Sequence, residues 1–195
     1  MQSRSPVVID ATVYRSMGVL GLGPALFDVW VCITIFDPPD GGELGGIVST
    51  IRGELTRLQH GSSASSLWNE GLDGLDQLIA QLTSHTIVRP TAAETDLAML
   101  LASKHDDARA WRHEQGIGAR RIDTGEAVCI AVAMSRIFEF ATDDRPAAAA
   151  FESLSGRTAR STFDVLDELC ARGVVESVED AEQRLIRLRG PQRPS

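Results

Sequence analysis

The stretch from Ile122 to Arg145 constrains the fold most, because it joins a helix that is apolar on nearly all sides to a short apolar strand. Residues 127–134 are apolar almost without interruption, as a helix buried against a sheet must be. Residues 137–141 then have the length and apolar content of a short buried strand. The stretch predicts an α/β fold.

Carboxylates flank both of these elements. Asp123 and Glu126 stand at the start of the helix, and Asp143 and Asp144 follow the strand. In an open α/β sheet the carboxyl ends of strands and the amino ends of helices share one edge, so these acids are expected to converge where ligands bind. The alternative interpretation is structural. Asp123 and Glu126 also have the spacing of a capping box, and the second pair also suits a polar turn into a helix that starts near Pro146.

Another acid follows the first apolar run of the chain. Residues 7–9 read Val-Val-Ile and end in Asp10, the pattern of a central strand in a parallel sheet. Asp10 also suits the N-cap of the following helix. If Asp10, Glu126 and one of Asp143 or Asp144 meet, their negative charges are costly to maintain without a cation. Oxygen ligands of this kind suit Mg²⁺ or Mn²⁺.

The order of these motifs resembles the PIN domain, a metal-dependent nuclease fold found in many bacterial and archaeal toxins. The third motif of one subgroup, Asp-x-Gly-Glu-Ala before an apolar helix, matches residues 123–127. The first motif matches residues 9–12, the second matches residues 47–55, and the fourth, Asp-Asp-Arg, matches residues 143–145. An apolar run and a turn before residue 47 are longer than this family usually carries.

The resemblance implies a three-layer α/β/α sandwich around a mostly parallel sheet. It places a PIN-like domain at residues 1–176 and a C-terminal extension, with a short helix and a tail, at residues 177–195. It also implies hydrolysis of RNA phosphodiester bonds with Mg²⁺ or Mn²⁺, and it suggests the toxin of a toxin–antitoxin pair. An antitoxin protein and a second copy of the chain are the partners to expect beside RNA.

The resemblance further assigns roles to individual acids. The expected catalytic residues are Asp10, Glu54, Glu126 and Asp144. The expected metal ligands are Asp10, Glu126, Asp143 and Asp144. Asp123 is expected either as an extra ligand or as a hydrogen-bond acceptor for the groups that bind the metal. Two assignments stay open, since Glu43 rivals Glu54 as the second acid and either Asp143 or Asp144 can be the fourth.

Arginines accompany the acids. Arg120 and Arg121 precede the acidic helix start, and Arg145 follows the fourth motif. These three are the expected contacts to substrate phosphate. For Arg120 and Arg121 the alternative is that they only offset the acids. Arginines of the last predicted helix, residues 176–189, suit nucleic acid, a protein partner or a solvated face equally.

Composition limits the other possibilities. A length of 195 residues suits one domain, and the net charge of −8 argues against a generally basic nucleic-acid binder. The three cysteines are far apart in apolar surroundings, which favours free thiols in a reducing compartment. With no apolar run of about 20 residues and no signal-like start, we expect a cytoplasmic protein without a membrane span.

The uncertain second acid and the negative charge keep open a second hypothesis, an inactive PIN-like binding or regulatory protein.

Two further predictions concern the middle of the chain. Residues 91–115 are predicted to form one helix, opened by a capping box from Thr91 to Glu94. Residues 86–90 are predicted to be a short extended link.

Overall fold

The structure, a computed structural model, describes residues 5–35, 86–118 and 121–189, together with residues 74, 77, 78 and 81. Within these residues the chain forms four strands and eight helices in an α/β arrangement. The strands are β1 (Pro6–Ile9), β2 (Val31–Ile35), β3 (Thr86–Val88) and β4 (Glu139–Ala141). The helices are α1 (Ala11–Val19), α2 (Gly23–Val29), α3 (Ala92–Ala102), α4 (Asp106–Glu114), α5 (Thr124–Ser135), α6 (Arg145–Ser155), α7 (Thr162–Ala171) and α8 (Val178–Arg189).

The described strands form one parallel sheet in the order β3-β2-β1-β4. Val8 of β1 lies opposite Ile33 of β2 on one side and opposite Phe140 of β4 on the other. Because every pairing is parallel, the carboxyl ends of the four strands share one edge of the sheet. The α/β class and the parallel sheet predicted from the sequence are therefore confirmed for the described strands. The link predicted at residues 86–90 supplies the edge strand β3.

The core lies in two clusters, and alternate residues of β1 belong to different ones. Val7 and Ile9 pack with apolar side chains of α1, α2, α7 and α8. Val8 packs instead with apolar side chains of α3, α5 and α6. This division follows from the pleat of a strand, which sends successive side chains to opposite faces. The apolar character of β1 on both faces, read from the sequence, is thus explained by burial on both faces.

Helix α8 contributes to the first of these clusters. Ala181 and Leu185 are buried in it, and Val178 packs against it. The short amphipathic helix predicted at residues 176–189 is confirmed as α8. None of the helices that the structure describes combines the length and the apolar character needed to cross a membrane.

Two predictions about element boundaries are wrong. The single helix expected over residues 91–115 is two helices, because Ser103 is extended and its hydroxyl accepts a hydrogen bond from the His105 N–H at 3.1 Å. Buried Arg112 then donates to the carbonyl oxygens of Leu100 at 2.7 Å and Ser103 at 2.9 Å, which satisfies the end of α3.

The other error is at the start of β4. The sequence predicts a strand from residue 137, but Ile137 has a left-handed φ of 58° and β4 begins at Glu139. The N–H of Phe138 donates to the Ala133 carbonyl at 2.9 Å, so these residues form the closing turn of α5. The apolar residues of this turn continue directly into β4, so the sequence pattern alone cannot separate the turn from the strand.

Candidate functional site

The site is built around Asp10, which follows β1 directly. Its N–H donates to the carbonyl oxygen of Ala141 at 2.9 Å, so it lies beside the carboxyl end of β4. Asp10 is 5% exposed and occupies the N-cap of α1, where its carboxylate accepts from the Thr12 N–H. The N-cap interpretation is therefore confirmed, and it leaves the acid at the edge of the sheet where a ligand would bind.

Two threonines fix the Asp10 carboxylate. The hydroxyl of Thr12 donates to Asp10 Oδ2 at 2.7 Å, and the hydroxyl of Thr142 donates to the same oxygen at 3.0 Å. The Thr12 oxygen in turn accepts from the Asp143 N–H at 2.9 Å, and the Thr142 oxygen accepts from the Asp144 N–H at 3.0 Å. Since a hydroxyl has a single proton, these acceptor contacts direct both protons to Asp10. The turn after β4 thus orients the acid after β1.

The pKa of Asp10 is set by two opposing effects. Burial raises it above the ordinary value for an aspartate, and the hydrogen bonds from Thr12 and Thr142 work in the other direction by stabilising the ionised form. The carboxylate is thus held in place by neutral donors. Among the described ion pairs, none joins it to an arginine.

Glu126 lies in the first turn of α5, near enough to Asp10 for the two charges to interact. Burial, the largest effect, and the negative charges of Asp10, Asp144 and Asp123 together raise the pKa of Glu126 to about 7. A hydrogen bond from the backbone of Asp123 lowers the pKa in part. The half-buried Glu126 is therefore surrounded by like charges, the situation in which a carboxylate favours a cation or a proton.

The capping-box interpretation of Asp123 and Glu126 accounts for only one contact of the pair. Asp123 occupies the N-cap of α5, but its side chain makes no capping hydrogen bond and is exposed. Only the reciprocal contact, from the Asp123 backbone to Glu126, is present. The Asp-x-x-Glu spacing therefore leaves the Asp123 carboxylate uncommitted to the helix amides.

Asp144 caps the next helix at the same edge of the sheet. Its Oδ1 accepts from the Ala147 N–H at 2.9 Å at the start of α6. The polar turn predicted before Pro146 is thus confirmed. The same carboxylate is close enough for its charge to raise the pKa of Glu126.

Asp143 has different partners. Its Oδ1 accepts from the Thr162 N–H at 2.8 Å, and its Oδ2 accepts from the hydroxyls of Thr162 at 2.7 Å and Ser16 at 2.8 Å. Ser16 and Thr162 are both buried, so Asp143 ties α1 to the start of α7. The sequence assigned no role to Ser16 or to Thr162. For Ser16 a signal was present, because it lies one helical turn after Thr12 on the same face of α1.

The arginines expected to contact phosphate are only partly described. Arg145 is exposed as the first residue of α6, and Arg121 is exposed shortly before α5. Arg120 lies outside the described residues, as do both candidates for the second acid, Glu54 and Glu43.

The described part of the site is a group of carboxylates at one edge of the sheet that are near enough for the charges of Asp10, Asp144 and Asp123 to act on Glu126. Within residues 5–35, 86–118 and 121–189, no three Asp, Glu, His or Cys side chains lie close enough together to hold a metal ion. Carboxylate oxygens and threonine hydroxyls are nevertheless the chemistry that hard cations select. The arrangement suits binding of a cation, because a positive ion would offset the repulsion between the carboxylates.

In comparisons with protein-family models, curated proteins and solved structures, nothing matches this chain.

Proposed function

We propose that the chain is a divalent-metal-dependent ribonuclease with a PIN-like fold. The observation that carries this proposal is the position of Glu126, whose pKa is raised by the charges of Asp10 and Asp144 as well as by burial. The three carboxylates lie in three separate motifs, after β1, at the start of α5 and after β4, in the order of the resemblance. Acids that repel one another at the carboxyl ends of parallel strands destabilise the fold, and a bound cation would relieve that repulsion.

We also propose that the fold is a three-layer α/β/α sandwich. The support comes from the two core clusters, one with α1, α2, α7 and α8 and the other with α3, α5 and α6. The alternation of Val7, Val8 and Ile9 between these clusters is what a sheet covered on both faces needs.

On this proposal Mg²⁺ or Mn²⁺ would be held by Asp10, Glu126 and Asp144, with Asp123 beside them, and these carboxylates would have to approach one another on binding, because no three acids among the described residues are close enough to share an ion. When bound, such an ion lowers the pKa of a water molecule and neutralises charge on the transferring phosphate. The chain itself orients the carboxylate of Asp10 through hydrogen bonds. The hydroxyls of Thr12 and Thr142 both donate to Oδ2 of Asp10 and so fix the orientation of its carboxylate.

The hydrogen bonds favour Asp144 as the fourth acid. Both oxygens of Asp143 accept hydrogen bonds from Ser16 or Thr162, whereas the charge of Asp144 acts on Glu126. Asp143 then holds the turn after β4 in the conformation that orients the threonines. The exposed Arg145 and Arg121 provide positive charge for phosphate oxygens.

A cleavage assay tests the proposal. Purified protein is incubated with single-stranded RNA in Mn²⁺, Mg²⁺ or a chelator. We expect metal-dependent cleavage that Asp10→Asn abolishes without loss of folding. Asp96→Asn, the same chemical change at an exposed position of α3, serves as the control and should cleave like the wild type. No cleavage by the wild type with either metal would overturn the proposal.

A PIN-like binding protein without nuclease activity is the second candidate. The observation that favours it is the lack of a three-ligand metal group among the described residues. In that case RNA should be bound but recovered intact in the same assay, with or without metal.

A further inference from the structure

Arg112 is a buried arginine without an acidic partner in the described part of the chain. It lies in α4, is 2% exposed, and takes part in none of the described ion pairs. Its Nε is buried with no hydrogen-bond partner among the described residues, and burial lowers the pKa of the guanidinium. Burial of a charge is costly, so the contacts that Arg112 does make have to compensate.

These contacts are with the end of α3. The Nη1 of Arg112 donates to three carbonyl oxygens, those of Leu100 at 2.7 Å, Leu101 at 3.3 Å and Ser103 at 2.9 Å. The last carbonyl groups of a helix have no partner within the helix, and the helix dipole favours a positive charge beside them. Arg112 therefore fixes the backbone at the carboxyl end of α3.

The Leu101 carbonyl connects this end of α3 to the candidate acids. The same oxygen accepts from the Ile122 N–H at 3.1 Å, and Leu101 and Ile122 are buried in the same core cluster. Ile122 is followed by Asp123, the N-cap of α5, whose backbone donates to Glu126. One carbonyl oxygen thus joins Arg112 to the segment that carries two of the acids.

We propose that Arg112 is a positioning residue for the cation site, which sets the place of Asp123 and Glu126 by holding the carboxyl end of α3. This inference rests on the proposed function and assigns a role in it to a residue outside the acidic edge. Arg112 acts through the backbone of α3 and Ile122, since its described hydrogen bonds go to carbonyl oxygens alone. Replacement of a residue that orients metal ligands typically weakens metal binding about 10- to 100-fold.

Arg136 offers a comparison at the other end of the same two helices. It ends α5 and donates to Glu94, near the start of α3, at 2.8 and 2.9 Å. Because α3 and α5 pack together, each arginine holds one end of the pair. Asp123 and Glu126 lie at the end that Arg112 holds. Loss of Arg112 and loss of Arg136 should therefore differ in their effect on cation binding.

Two quantities are measured in the full chain, the Kd for Mn²⁺ by electron paramagnetic resonance and the backbone amide signals of the metal-free protein by NMR. We expect Arg112→Met to raise the Kd about tenfold and to shift the amide signals of residues 122–126. Arg112→Lys keeps the charge and part of the hydrogen bonding. It should shift the same signals less and raise the Kd by only about threefold.

Two further variants serve as controls. Arg109→Met removes an exposed arginine about one turn earlier in α4, and it should leave both the Kd and the amide signals of residues 122–126 unchanged. Arg136→Met should lower the melting temperature without changing either quantity. It thereby separates a loss of stability from a displacement of the acids.

Three results would overturn this inference. The first is that the signals of residues 122–126 stay in place in Arg112→Met, or in Arg112→Lys if the methionine variant does not fold. The second is that these signals move while the Kd equals that of the wild type. The third is an equal rise of the Kd in Arg136→Met, which would show that lower stability alone weakens binding.

The same measurements distinguish this inference from the proposed function. Wild-type protein that binds Mn²⁺ with a Kd independent of Arg112 would overturn the positioning role and leave the nuclease proposal standing. Binding of Mn²⁺ that depends on Arg112 in a protein that cleaves no RNA would support the positioning role and overturn the nuclease. A wild type that binds no Mn²⁺ would overturn both.

Discussion

Glu94 and Glu126 occupy the same position in two helices that pack together, yet their surroundings shift their pKa values in opposite directions. Each is the third residue after the N-cap, Glu94 after Thr91 in α3 and Glu126 after Asp123 in α5. Glu94 accepts from the guanidinium of Arg136 at 2.8 and 2.9 Å, and this contact lowers its pKa to about 2. For Glu126, burial and three nearby acids raise the pKa to about 7.

The difference shows that the spacing of a capping box does not determine whether both of its hydrogen bonds form or which charges surround its glutamate. Thr91 and Glu94 form the complete box, while Asp123 and Glu126 form only the contact from the Asp123 backbone. Arg136, at the end of α5, neutralises the glutamate of α3, but none of the described ion pairs reaches the glutamate of α5 itself. A buried acid with its own cation serves the fold, whereas an acid among other acids is a candidate for function.

Removal of the cation from the neutralised acid should give the largest effect. Arg136→Met leaves Glu94, which is 2% exposed, without its partner, and we expect the free energy of unfolding to fall by about 3 kcal/mol. Urea denaturation at pH 7 measures this loss. Arg109→Met, which removes an exposed arginine from α4, should change the stability little. A loss below about 1 kcal/mol for Arg136→Met would show that the ion pair does not stabilise the fold in the way described.

The two glutamates should give opposite dependences of stability on pH. The contribution of Glu94 is present above its unfolded pKa of 4.5 and is lost as the pH falls toward 2. Between pH 4.5 and about 7 the folded protein keeps a proton on Glu126 that the unfolded chain has lost, so a rising pH favours unfolding.

With a chelator present, the free energy of unfolding should therefore decrease from pH 4.5 to 7.5 because of Glu126. The expected decrease is about 1–2 kcal/mol, less than the roughly 3 kcal/mol that the full pKa shift would give, because solvent screens the half-buried carboxylate. Glu126→Gln should remove that decrease, as denaturation curves at several pH values would show. A decrease that persists unchanged in the variant would place its origin elsewhere.

The smallest effect concerns the end of α5 that carries Arg136. Ile137 adopts a left-handed φ of 58° while 79% exposed, a conformation that is costly for a β-branched residue. Ile137→Gly should raise the free energy of unfolding by about 1 kcal/mol, since little burial is lost. A thermal melt compares it with Ile137→Ala, which keeps the left-handed strain and should gain less. An unchanged or lower melting temperature for the glycine variant would contradict this account of the turn.

The sequence predicted the elements with strong patterns and missed those determined by distant contacts. The apolar runs predicted that β1 is buried on both faces and that α5 is buried on nearly all sides. The acids after β1 and β4 were predicted at one edge of the sheet, because parallel strands end on the same side. The break at Ser103 was missed, because it depends on Arg112 reaching back to the end of α3.

Within the site, the sequence left Asp143 and Asp144 equivalent. Their distinct hydrogen bonds depend on Ser16 and Thr162, which are 127 and 19 residues away from Asp143 along the chain. No pattern in the sequence around Asp143 and Asp144 indicates such distant partners. The prediction for Glu54 or Glu43 stays untested, since both lie outside the described residues.

The melting temperature with and without Mn²⁺ tests the central claim most directly, namely that the acids around Glu126 bind a divalent cation. A cation that binds only the folded protein stabilises it by about 2.7 kcal/mol at 100 times its Kd. We predict that Mn²⁺ raises the melting temperature of the wild type, that Glu126→Gln removes most of this increase, and that Asp96→Asn keeps it. A wild-type melting temperature that does not respond to Mn²⁺ or Mg²⁺, or an equal response in Glu126→Gln, would contradict the claim.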